Sequence, residues 1–206
     1  MEKLAQLLAS GLALGAIYAL VALGFVAIYR ASKVFNFAHG ELVTFGALFM
    51  VTLASPSIGV PWPLALIATM VATGALAALV ERIFLRPMVG RPVFVTVILT
   101  LFIGIILRTF IVAFWGTDPR GMPTPWDPMS AINLGSARLS VNELLAIGAG
   151  ALALLGFHLL VKRSRLGVAM RATAADQEAA LAQGIPVGKV FSASWFIAGA
   201  LAAMAG

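Results

Sequence analysis

In the stretch VFNFAHGE, residues 34–41, a histidine and a glutamate stand two positions apart between apolar runs. Two such side chains could share a metal, work as an acid–base dyad, or relay protons. Residues two apart on a helix do not face each other, so the spacing disfavours a metal pair or a dyad at His39 and Glu41. The chain has no cysteine, and no nucleophile–base or metal-ligand spacing emerges elsewhere. No catalytic or metal-binding residue is therefore assigned, and no cofactor is expected. What remains is a polar pair in apolar surroundings, whose meaning depends on the elements that hold it.

Those elements are set by composition. The chain has 206 residues, of which 61% are hydrophobic and 11% charged, whereas soluble domains are about 45–50% apolar and about 25% charged. This is a membrane protein. Its net charge of +6 does not imply nucleic acid, because the basic residues sit in short gaps between apolar runs, where positive charge sets orientation. Leu4 to Tyr29 carries no charge over 26 residues, beyond the roughly 20 needed to cross a bilayer and longer than a secretory signal's apolar region. Further spans are Trp62 to Val80, Val93 to Trp115 (interrupted by Arg108), Val141 to Val161 and Val190 to Gly206.

Between the first two of these, Leu42 to Ala54 offers only 13 uncharged residues, about 20 Å of helix. Pro56 and Pro61 prevent extension forwards, so the helix should lengthen backwards through Glu41 and His39 to about Phe35. Both side chains then lie within the membrane boundary. The expected fold is an all-α polytopic membrane bundle over residues 1–206, a single domain of about six spans. Its second span is short or broken and its last is incomplete.

Arg30 and Lys33, then Arg82, Arg86 and Arg91, then Lys162, Arg163, Arg165 and Arg171 fall in alternate gaps, while residues 55–61 have no positive charge. The positive gaps should face the cytoplasm, which places the amino terminus outside. The loop 162–189 is too long for a simple turn. Asp176 can cap a helix starting at Gln177, with Glu178 in its favourable first turn. Gly184 supplies a left-handed stop and Pro186 prevents continuation. A preceding helix spans Leu166 to Ala172. Such a pair could rest on lipid, anchored by its arginines, or dock a cytoplasmic partner through the small surface of Ala179, Ala180 and Ala182. Spacing alone leaves both open.

Several segments together carry a family resemblance: GLALGAIYALVALGFVAIYR in the first span, NFAHGE at Asn36 to Glu41, PRGMPTP at Pro119 to Pro125, and RSRLGVAMRATAADQEAALAQGI at Arg163 to Ile185. The chain resembles the LivH-type permeases of branched-chain amino acid ABC importers over essentially its whole length. Glu178-Ala179-Ala180 followed by Gly184 resembles the EAA---G signature of importer permeases. Gln177 stands where relatives often have proline, and relatives continue through further spans. The resemblance implies a subunit of an ATP-driven importer in a bacterial inner membrane. Its implied partners are a second permease subunit, two cytoplasmic ATP-binding subunits and an external substrate-binding protein. It makes 162–189 the coupling loop, with Arg171, Asp176, Glu178, Ala179, Ala180 and Gly184 as coupling residues.

Within that frame Asn36, Phe37, His39 and Glu41 are the substrate-pathway candidates. Asn36 would cap the second span, and the amides of Phe37, Ala38 and His39 would face a cavity suited to a carboxylate. The competing reading pairs Glu41 with Arg82 or Arg86 and has His39 donating to a backbone carbonyl. Gly11 and Gly15 form a GxxxG, expected to pack within the chain rather than in a dimer. The four tryptophans are expected at the membrane interfaces. Alternative functions are a permease for urea, short amides or other small solutes, and, from a different class, a proton-coupled transporter using His39 and Glu41 as a relay. The latter would not need an elaborate cytoplasmic loop.

Overall fold

A computed structural model describes residues 2–88, 90–127, 130–134 and 137–206. The helices are α1 (Glu2–Ser32), α2 (His39–Ala54), α3 (Trp62–Val80), α4 (Val93–Trp115), α5 (Val141–Arg163), α6 (Arg165–Ala175), α7 (Gln177–Ala182) and α8 (Val187–Ala205). Five apolar helical stretches are long enough to cross a membrane, and α2 is a shorter apolar helix. The expected all-α membrane bundle is what forms. One departure is a small antiparallel hairpin before α5, in which β1 (Ala131–Leu134) pairs with β2 (Ala137–Ser140). It ends in a capping box, with the Ser140 hydroxyl and the Glu143 carboxylate each taking the other's backbone amide.

The second span starts later than expected, at His39 rather than near Phe35. The Phe37 amide donates to Thr100 Oγ1 on α4 at 3.2 Å, and the Ala38 amide to Asn36 Oδ1 at 3.0 Å. These bonds hold residues 36–38 in a turn whose amides would otherwise need helical partners. The 16 residues of α2 make about 24 Å of helix, short of a hydrocarbon core of about 30 Å.

The core is organised around α8. Leu20, Leu23, Ala27 and Ile28 of α1, Leu42 of α2 and Ala77 of α3 pack with Trp195, Ala198 and Ala202 of α8 in one buried cluster. Lipid gives apolar side chains no reason to prefer protein to membrane, so close helix packing depends on small residues. One close approach is between α3 and α8. A Cβ on Gly199 would lie 2.5 Å from the Thr73 carbonyl oxygen and 2.9 Å from Gly74 Cα.

Two packing expectations are corrected. Gly11 and Gly15 are exposed, and nothing lies within 4 Å of where their Cβ atoms would be. Within the chain, α1 instead uses Ala16, which packs on Gly150 of α5, and Gly24, which receives the ring of His39. Trp195 is not a belt residue but is 2% exposed in the core. The other tryptophans gather at one end, where Trp62 meets Trp126 at 5.1 Å and Trp115 Nε1 donates to Thr52 Oγ1 at 2.8 Å.

Candidate functional site

The four candidates of the NFAHGE turn point two ways. Asn36 and His39 are wholly buried, whereas Phe37 is exposed and Glu41 is half-buried. His39 sits against Gly24 and against Phe25, with ring centroids 4.6 Å apart. A Cβ at Gly24 would come within 2.4 Å of His39 Nε2, so the glycine makes the space for the imidazole. The Val21 carbonyl lies within electrostatic reach, yet neither ring nitrogen closes a hydrogen bond of regular geometry, and Asn36 Nδ2 also lacks a partner. The expected amide cradle is corrected: the amides of Phe37, Ala38 and His39 are bound by Thr100 Oγ1, Asn36 Oδ1 and the Asn36 carbonyl. His39 and Glu41 do not converge, which removes the geometric basis for a two-residue relay.

Glu41 pairs with neither Arg82 nor Arg86. Arg86 belongs to a different carboxylate, Glu81, which sequence reasoning passed over as a residue at the end of a span. Glu81 is 1% exposed. It opens a π-helical turn, Glu81–Leu85, that continues α3 and leads into a short 3-10 turn, Arg86–Met88. Pro87 cannot donate to the Ile83 carbonyl as an α-helix would require, and the chain re-registers so that the Arg86 amide donates to the Glu81 carbonyl. On a regular α-helix residues five apart lie about 140° apart. The wider turn stacks them.

The side chains then meet. Arg86 Nε donates to Glu81 Oε1 at 3.2 Å and Nη2 to Oε2 at 3.0 Å, a two-pronged ion pair. The same Nη2 reaches the Gly188 carbonyl at 2.7 Å and Ser192 Oγ at 2.6 Å, and Ser192 Oγ donates to Glu81 Oε2 at 2.6 Å. The network joins the continuation of α3, which carries Glu81 and Arg86, to α8, which carries Gly188 and Ser192. The only local signal was an acid five residues before an arginine, with Arg82 and an apolar triplet between them, just before a proline.

The loop candidates form the expected pair of helices. Asp176 Oδ1 accepts the amides of Glu178 at 2.9 Å and Ala179 at 3.0 Å, and Gly184 closes α7 at φ +79°. The alanine surface is divided. Ala180 is buried with Ala31, Met170, Val187, Val190 and Phe191, whereas Ala179, Leu181 and Ala182 face outward. Arg171 Nη1 donates to the Val161 carbonyl at the end of α5, and so ties α6 to α5. Between this loop and the ends of α1, α3 and α4 lies a cavity of about 490 Å³, bordered by Lys33, Glu81, Arg91, Thr173 and Glu178.

The family described as "Branched-chain amino acid transport system / permease component" matches residues 7–206. The high-affinity branched-chain amino acid transport system permease protein BraD of Pseudomonas aeruginosa is 29% identical over 97% of this chain and 68% of its own length. LivH of Salmonella typhimurium, a permease protein of the same description, is 27% identical over 98% and 68%. A probable LivH of Methanocaldococcus jannaschii is 28% identical over 91% and 60%. No solved structure matches.

Proposed function

The chain belongs to the family of branched-chain amino acid transport permease components, and on that footing we propose that it is a membrane subunit of an ATP-driven importer for branched-chain or hydrophobic amino acids. It receives substrate from an external binding protein, works beside a second permease subunit, and draws energy from two cytoplasmic ATP-binding subunits. It is not itself an enzyme. The segment GIPVGK, Gly184 to Lys189, is one residue short of a phosphate loop and is followed by Val190 where Ser or Thr is needed. The relatives' names all point to branched-chain amino acids, which favours that substrate class over urea or short amides.

The observation that carries the coupling role is the build of α7. Its cap and its stop are local, it is anchored inward through Ala180, and it presents Ala179, Leu181 and Ala182 outward. Arg171 braces the element, and Asp176, Glu178 and Gly184 shape it. In this reading the amino terminus lies outside and residues 162–189 lie in the cytoplasm. Asn36 and His39 supply the polar part of the pathway. Asn36 Nδ2 is buried without a partner, which is costly in a dry interior and marks a place that opens to a polar guest. His39 is buried beside it, with the Val21 carbonyl close to its ring. Phe37 and Glu41, on the outward side of the same turn, face the second permease subunit.

The test is co-purification of the ATP-binding subunit with the permease, together with uptake in vesicles. Ala179→Trp and Gly184→Val should insert normally, lose the ATPase, and abolish the response of ATP hydrolysis to loaded binding protein. His39→Ala should keep the ATPase and lower uptake. If both loop variants retain partner and transport, α7 is a lipid-resting helix instead.

A further inference from the structure

α7 and the start of α8 are one mechanical piece. Ala180 of α7 is buried with Val187, Val190 and Phe191 of α8, and the Ile185 amide donates back to the Ala180 carbonyl at 2.9 Å. Any push on α7 therefore reaches the first two turns of α8. Those turns are held from the other side by Arg86, through the Gly188 carbonyl and Ser192 Oγ, and Arg86 is held in turn by Glu81. Gly188 permits this approach, since a Cβ there would lie 3.3 Å from Arg86 Cζ.

The attachment point is a π-helical turn. Its i→i+5 bond, from the Arg86 amide to the Glu81 carbonyl, brings the two side chains onto one side of the turn. The ion pair thus depends on the π turn that Pro87 imposes.

We propose that Glu81, Arg86 and Ser192 form a clasp that transmits movement of the α6–α7 loop, through the start of α8, into α3. Arg86 is then a positioning residue for transport, touching neither the substrate nor the ATPase. The clasp rests on the coupling role proposed for α7. A structural staple would show the same bonds, so the test must separate stability from coupling.

Glu81 is buried, whereas the Arg86 side chain is 36% exposed. Removing Arg86 therefore strands a buried carboxylate and destabilises, while removing both charges is far milder. The intact transporter, reconstituted with its binding protein, is compared as Glu81→Gln, Arg86→Gln, the double variant, Ser192→Ala and Ser192→Thr. Amino acid taken up per ATP hydrolysed, denaturation temperature and bound ATPase are read for each. Arg86→Gln should denature early, and Glu81→Gln, which leaves an arginine that reaches solvent, less so. The double variant should regain the parental denaturation temperature and keep the ATPase, yet lose at least tenfold in uptake per ATP. Ser192→Ala, which leaves the charges paired, should lose several-fold at unchanged stability, and Ser192→Thr should restore it.

Parental uptake per ATP in the double variant or in Ser192→Ala would overturn the proposal. So would a loss that simply follows the denaturation temperature across the set. If the double variant does not assemble, the Ser192 pair decides. Failure of the docking reading shows separately, as an ATPase that stays bound and active beside Ala179→Trp.

Discussion

Gly199→Ala adds a single methyl group at the close crossing of α3 and α8. The new Cβ would lie 2.5 Å from the Thr73 carbonyl oxygen, 2.8 Å from Ala77 Cβ and 2.9 Å from Gly74 Cα. These are backbone atoms or a side chain with no rotamer, so none can swing aside. The first contact is about 0.9 Å short of ordinary van der Waals distance, and α3 and α8 must separate by about that much. Overpacking of this kind costs about 1–3 kcal/mol. Alanine returns some of it, because it is the better helix former by about 0.8–1 kcal/mol. The net loss should be about 0–2 kcal/mol, a fall of up to roughly 8 °C in denaturation temperature at this chain length. Gly156→Ala is the control, since nothing lies within 4 Å of its Cβ position on α5; it should be neutral or slightly stabilising. The assay is thermal denaturation of the purified protein in detergent, both variants beside the parent. If Gly199→Ala melts with Gly156→Ala, the α3–α8 crossing is not as close as described and the reasoning fails.

Two further outcomes are expected, beside those for the loop and the clasp. Asp176→Ala removes an acceptor shared by two amides, a loss of about 1 kcal/mol; amides of residues 177–182 should exchange hydrogen about fivefold faster, and Asp176→Asn should restore protection. Reporter fusions at Pro56 and Gly121 should read external, and those at Arg86 and Arg165 internal. Trp62 meets Trp126, and Trp115 meets Thr52, so Pro56 and Gly121 reading on opposite sides would contradict the fold itself. A wholly reversed pattern would contradict only the orientation, and with it the docking role.

Local chemistry made the loop legible. The Asp176 cap, the Gly184 stop and the division into α6 and α7 depend on neighbours within a few residues, and such signals survive in any surroundings. Length and composition likewise settled the membrane class, the long spans and the short second one. The backward extension of α2 took in Glu41 and His39 as expected but stopped short of Phe35, because its premise was only that a span needs length. Thr100, 63 positions away from Phe37, takes the amide that would have continued the helix.

The facing of each helix was a matter for the tertiary structure. A soluble helix advertises its buried side by polarity, but membrane helices are apolar on every side, and the usual stripe is erased. Steric fit then selects the contacts. Among candidate glycines, fit chose Gly24, Gly74 and Gly199 over Gly11 and Gly15, although all look alike in the chain. The Glu81–Arg86–Ser192 clasp was equally hidden, because Ser192 lies 111 residues from Glu81 and the ion pair needs a π turn that α-helical spacing does not anticipate. Burying a carboxylate requires partners for both of its oxygens, and only the folded arrangement of α3 against α8 could supply them.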